Sequence, residues 1–160
     1  MKLKFLFVIT FLLTVFPITG CKPDSASLMA AVKADNTQEA GNLIKKGADA
    51  NSRTSPNGWS ALHYAARNGN VDIVQQLLSA GADANYSGSM DGKANSAVAL
   101  KPLVLAQVSL DLVSQIPASQ MEAKLHEIGL DDQALVRSMK DPTAASRYRK
   151  VIDLLTPVTK

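Results

Sequence analysis

Few side chains in this 160-residue chain can do chemistry, and their spacing limits what that chemistry is. There are two histidines (His63 and His126), one cysteine (Cys21) and one adjacent carboxylate pair, Asp131-Asp132. A zinc site needs several Cys or His residues at short spacings, and two separated histidines with a remote cysteine do not supply them. His63 on an apolar helix is a candidate base or ligand, or else a histidine bonded to backbone and to the Ser60 hydroxyl. His126 falls on the polar side of a helical pattern and reads as solvated. Asp131-Asp132 precedes another helical pattern, where capping of backbone N–H groups explains carboxylates more simply than acid–base work. No serine-hydrolase, zinc-protease or phosphate-loop motif occurs. A lone cysteine excludes an intrachain disulfide. The expectation is no enzyme, no catalytic or metal-binding residue and no small-molecule substrate. Arg147, Arg149 and Lys150 form a small basic cluster, either a solvated helix face or a contact for anionic lipid.

The elements that hold these residues are helical. In GWSALHYAARNGNVDIVQQLLSAGADAN, residues 58–85, Leu62, Ala65 and Ala66 share one face of a helix over 61–67. Ile73, Val74, Leu77 and Leu78 share one face of a second helix over 71–79. Gly69 and Gly81 fall where a chain leaving a helix favours a left-handed residue. Two helices this short are marginal alone and need neighbours to bury their faces.

Those residues resemble an ankyrin repeat. The family pattern G-x-T-P-L-H-x-A-A-x-x-G, then I-V-x-x-L-L and G-A-D-x-N, is matched by Gly58, Ser60, Leu62, His63, Ala65, Ala66, Gly69, Ile73, Val74, Leu77, Leu78 and the word GADAN at 81–85. Ser60-Ala61 replaces the usual Thr-Pro, and the serine keeps a hydroxyl able to cap the helix. GADAN recurs at 47–51, and Leu28, Ala31 and Leu43 match Leu62, Ala65 and Leu77 at the same offset of 34. A fixed period of this length implies stacked repeats. Asp35 stands where Gly69 does, and Gly41 sits in the second helix of this earlier, degraded copy, which reads as the N-terminal cap. A third copy opens at Lys101-Pro102-Leu103 after a long finger, 86–100, rich in Gly, Ser and Asp. Its first helix is expected to run to about Ile116. A helical insert over 117–141 follows, with Ser119 and Glu122 as a capping box ahead of Met121, Leu125 and Ile128. Ala145, Tyr148, Ile152 and Leu155 then mark a closing helix over 142–156. The expected fold is all-α, a short ankyrin-repeat solenoid over 26–160 with repeats near 26–51, 58–85 and 101–156.

The first twenty residues are set apart. Lys2 and Lys4 precede an apolar run from Phe5 to Phe16, too short to span a membrane and suited to a secretory leader. Ile18-Thr19-Gly20-Cys21 resembles the lipobox of bacterial lipoproteins. That resemblance implies cleavage before Cys21, a diacylglycerol on its thiol, an N-acyl chain, and a tether over 21–25 to the membrane. Each buried methylene of such chains contributes about 0.8 kcal/mol to anchoring. Lys22 following the cysteine implies the periplasmic face of the outer membrane. All four phenylalanines lie in the leader, leaving Trp59, Tyr64, Tyr86 and Tyr148 as the aromatics of the remainder. Of 17 basic residues two lie in the leader, against 14 acidic, so the remainder is nearly neutral and carries no nucleic-acid footprint.

In ankyrin repeats a partner protein usually meets the inner face, made of finger tips and first helices. The resemblance carries that role to Asn57, Trp59, Arg67 and Asn68 in the complete repeat. Lys33 and Ala34 correspond in the first, and Leu100, Val108 and Ser109 in the third. Trp59 is an interface anchor or packs on a neighbouring finger or the 86–100 segment. The implied function is binding another envelope protein, in a sharper form as an immunity-type inhibitor of a secreted toxin such as a lipase. The competing reading is a structural or stress-tolerance lipoprotein without one dedicated partner.

Overall fold

Several helices of this chain start where side chains satisfy the backbone donors that a helix start leaves open. The computed structural model describes residues 24–53, 58–89, 99–130 and 132–160. Asp24 accepts from the Ala26 N–H at the start of α1 (Ser25–Lys33), and Asn36 from the Glu39 N–H at the start of α2 (Thr37–Lys45). Ser60 and His63 form a capping box on α3 (Ala61–Asn68), and Asn70 caps α4 (Val71–Ser79) through the Ile73 N–H. Pro102 occupies the first turn of α5 (Pro102–Gln115), where its missing N–H costs nothing. Asp132 accepts from the Ala134 and Leu135 N–H groups to start α7 (Gln133–Lys140).

Helices α1, α3 and α5 form one packed row. The second row is α2, α4 and α8 (Ala144–Leu155). The side chain of Asn51, last residue of the first GADAN, donates to Gly81 O (2.9 Å) and accepts from the Asp83 N–H (2.8 Å). Asn85, last residue of the second, donates to Val158 O (3.1 Å) and accepts from the Lys160 N–H (2.6 Å). The same stitch thus joins the chain after α4 and the chain after α8. Helix α8 therefore closes the third repeat, with α6 (Ala118–Glu127) and α7 intervening. The main core runs through all three repeats, from Leu28 and Val32 through Leu62, Ile73 and Leu77 to Leu105 and Leu155. A second, smaller core of Met121, Leu125, Leu135, Val136, Met139 and Tyr148 sits beneath the insert.

Three sequence expectations shift. Ser119 lies inside α6, which starts after Pro117 with no side-chain cap, so the anticipated Ser119–Glu122 box does not form; Ile128, just past the helix, is exposed. The face of α8 turned inward is Ala144, Tyr148, Val151 and Leu155, because α4 and α5 both press on it. Ala145 and Ile152 sit at the margin. The two ends of the 86–100 finger pair as a short antiparallel ladder, β1 (Gly88–Ser89) with β2 (Ala99–Leu100). The leader, Cys21 and Asn57 lie outside the described residues.

Candidate binding surface

The positions equivalent to Arg67 on the three first helices are Lys33 and Val108, and together they trace the inner face. Lys33 is half-buried, with Nζ 4.8 Å from the Tyr64 ring centre. Val108 is 49% exposed, a large apolar side chain left open. Between them Arg67 is covered. Its guanidinium lies over Trp59 (5.7 Å) and Tyr64 (5.3 Å), pairs with Asp132 of the insert, and leaves the side chain 11% exposed.

Trp59 and Asn68 are corrected as contact residues. Trp59 is only 5% exposed because β1 lies against its indole: a Cβ on Gly88 would come within 2.6 Å of Trp59 Cδ1. Its ring stacks near His63 and meets Tyr64 edge-on at 5.1 Å, so packing against the 86–100 finger is the alternative realised. Asn68 is fully buried, its amide turned to Val32 O and its carbonyl covered by the insert. Of the equivalent third-repeat positions, Ser109 is buried on Arg67 O (3.3 Å) and Leu100 is half-buried.

His63 is positioned as a fold element. Nδ1 lies 3.2 Å from the Ser60 N–H nitrogen and 2.7 Å from Ser60 Oγ, and Nε2 lies 3.0 Å from Leu100 O. Nε2 also faces the Gly88 N–H nitrogen at 3.1 Å, so the ring touches both strands of the 86–100 finger, β2 through Leu100 and β1 through Gly88. Burial holds the ring neutral, lowering its pKa to about 4 against the Leu100 bond, which raises it. The finger is thereby tied to the first helix of its repeat.

What sequence reasoning missed is the fastening of the insert. The last carbonyls of α3 are claimed by residues far along the chain. Arg67 O accepts from Tyr148 Oη (2.8 Å), and Asn68 O from Ser138 Oγ and Arg147 Nη1 (3.4 Å). Gly69 O also accepts from Arg147 Nη1, at 3.3 Å, while Nη2 binds Ser138 O at 2.6 Å. A cation at a helix C-terminus is favoured by the helix dipole as well. The small basic cluster holding Arg147 was visible in the sequence, but nothing local marks which of its members turns inward.

A stack of helical pairs with paired fingers and a stitched GADAN at each step defines a solenoid that works through surface contact. The chain belongs to the ankyrin-repeat family: the model for ankyrin repeats (3 copies) matches residues 6–88. That match ends before α5, so the third helical pair is an observation of the structure. A putative ankyrin repeat-containing protein of Treponema pallidum is 34% identical over 117 residues, 72% of this chain and 37% of that protein. The mitochondrial disaggregase of Bos taurus is 52% identical over 60 residues, 38% of this chain, and the 2-5A-dependent ribonuclease of Mus musculus is 47% identical over a stretch of the same length. The chain spans only 9% and 8% of those two relatives.

Proposed function

We propose that this ankyrin-repeat protein is a lipid-anchored binding module of the bacterial envelope whose target is another envelope or periplasmic protein. The observation that carries the binding role is the row Lys33–Arg67–Val108, of which the two ends remain reachable while the insert covers the middle. An exposed valine at one end of the row and a half-buried lysine at the other suit an interface margin rather than a catalytic site. The anchor reading is supported by Lys2, Lys4, the apolar run and Ile18-Thr19-Gly20-Cys21. Cys21 would carry diacylglycerol and an N-acyl chain, with Lys22 favouring the outer membrane. Within that setting an immunity-type inhibitor of a secreted toxin, such as a lipase attacking the same membrane, is the specific form we favour.

Affinity capture from detergent-solubilised native cells tests this, run beside a Lys33→Glu/Val108→Asp variant whose substitutions sit at the surface. One stoichiometric partner retained by the natural chain and lost by the variant is expected. No partner, with or without toxin expression, would contradict the reading and favour a structural envelope role. Separately, Cys21→Ser should move the protein from the membrane to the soluble fraction and abolish incorporation of a labelled fatty acid. Continued membrane association would contradict the anchor.

A further inference from the structure

Cations and aromatic rings touch one another in an unbroken series across the first two repeats. Lys33 Nζ lies 4.8 Å from the Tyr64 ring centre, and Tyr64 meets Trp59 edge-on at 5.1 Å. Trp59 stacks near His63 at 6.0 Å, and His63 meets Tyr86 edge-on at 5.7 Å. The Arg53 guanidinium then lies 3.7 Å over the centre of the Tyr86 ring. Arg67 sits over both Trp59 and Tyr64 in the middle of the series. Its far end is held by the backbone: Arg53 bridges Ser60, and a Cβ on Gly58 would come within 3.2 Å of Tyr86 Oη.

The three cations differ in what answers their charge. Arg67, resting on its rings, receives a carboxylate from far along the chain, Asp132 of the insert. Arg53 and Lys33 rest on rings in the same way, yet among the described residues neither makes an ion pair or donates a side-chain hydrogen bond. Nearby carboxylates are turned elsewhere: Asp49 and Asp83 accept from the Asn51 and Asn85 N–H groups at 2.9 Å, and Asp35 from Asn70. A guanidinium lying over a ring keeps its five N–H donors at the edge, in a fork that matches a carboxylate. Arg53 is exposed, so that edge is reachable from solvent. The ring also restricts the cationic head beforehand, which reduces the entropy lost on binding.

We propose that Arg53 and Lys33 each receive a carboxylate of the partner protein, carried on one acidic, extended segment that crosses the Arg67–Asp132 pair. The proposal rests on the protein-binding reading above and adds the chemistry of the partner. An extended segment of about eight residues, at ~3.3 Å per residue, reaches along the whole series. The chain beyond its leader is nearly neutral and lacks the broad basic field that a nucleic acid requires. The carboxylate already seated on Arg67 is the precedent within the same series.

The test is an NMR titration of the full chain in non-ionic detergent with N-acetyl decapeptide amides of alternating Glu-Ala, Gln-Ala or Lys-Ala. Only the Glu-Ala peptide should shift the Lys33, Arg53, Tyr86 and Ser87 amides, and added salt should weaken its binding. Arg53→Gln should weaken it about tenfold, and Tyr86→Leu, which keeps the charge but removes the ring, about threefold. The Ala65 and Ile73 amides should stay in place in both variants, as retained repeats require. No shift with the Glu-Ala peptide, an equal shift with the Gln-Ala peptide, or undiminished binding by Arg53→Gln overturns the site. Tighter binding of a thymidine decanucleotide, or of phosphatidylglycerol vesicles, overturns its assignment to a protein. Equal capture of the natural partner by the natural chain and by Lys33→Gln/Arg53→Gln would overturn the carboxylate contacts and leave the binding role standing. Peptide binding without any captured partner would leave an anion site and overturn its link to a partner protein.

Discussion

The first and second repeats share GADAN, the same helix lengths within a residue and the same stitching asparagines, yet their turns differ. In the second, Gly69 at φ +65° lies beneath Tyr148, whose ring would come within 2.7 Å of a Cβ added there. In the first, Asp35 takes nearly the same backbone conformation with a side chain directed to Asn70 and a cavity beside it. The repeat dictates the backbone, and the neighbour decides the residue. Where Tyr148 of α8 covers the turn only glycine fits. Where the cover stops short, a charged residue is tolerated at some cost. A second contrast accompanies it: His63 ties the finger of the second repeat, and the equivalent position in the first is Met29, a core residue.

The comparison is broken most severely by Gly69→Ala. Left-handed strain of about 1–2 kcal/mol adds to overpacking against Tyr148 of about 1–3 kcal/mol. Urea unfolding should show a loss of roughly 3 kcal/mol, and a loss under 1 kcal/mol would mean that Tyr148 moves freely. The titratable groups sharpen the contrast next. His63 has a folded pKa near 4, below its unfolded value of 6.5, so the fold binds fewer protons than the unfolded chain between them. Stability from this group is present above pH 6.5 and is lost as pH falls toward 4, by up to about 3 kcal/mol. His63→Gln should flatten that part of the pH profile. Asp35 acts with the opposite sign, since its raised pKa favours the fold below the unfolded value of 3.8 and loses that advantage as pH rises through the folded one.

Tyr148→Phe removes one donor from Arg67 O, which still accepts from Ser109 Oγ, so a loss of about 1 kcal/mol is expected in the same unfolding assay. The smallest change is Asp35→Gly. Relief of strain offsets the lost bond to Asn70, and stability should move by less than about 1 kcal/mol. A large loss there would make the two turns energetically alike and remove the basis of the comparison.

The repeated elements were legible because each carries its own local signal. Helix α4 was expected over 71–79 and found there, and α3 ended one residue later than expected. Ser60 and His63 met as the resemblance implied. The inner face was not legible. Trp59, Arg67 and Asn68 are covered by β1 of the lengthened 86–100 finger in the first case and by the insert, which has no counterpart in the repeat, in the other two. No periodicity encodes the direction in which an insert folds back. The same limit shifted the face of α8, whose apolar pattern allows Val151 or Ile152 to point inward until α4 and α5 choose between them.

The central claim is that the insert is a fastened part of the third repeat and not a lid over an open face. Native-state hydrogen exchange tests it most directly, by comparing the amides of Leu135, Val136 and Met139 with those of Ala65 and Ala66 in α3. With α7 bonded to the end of α3 through Ser138 and Arg147, both sets should open together, with similar opening free energies and similar response to denaturant. Exchange of the α7 amides orders of magnitude faster than α3, at low denaturant and without unfolding of the repeats, would contradict the claim and return Arg67 and Asn68 to the reachable face.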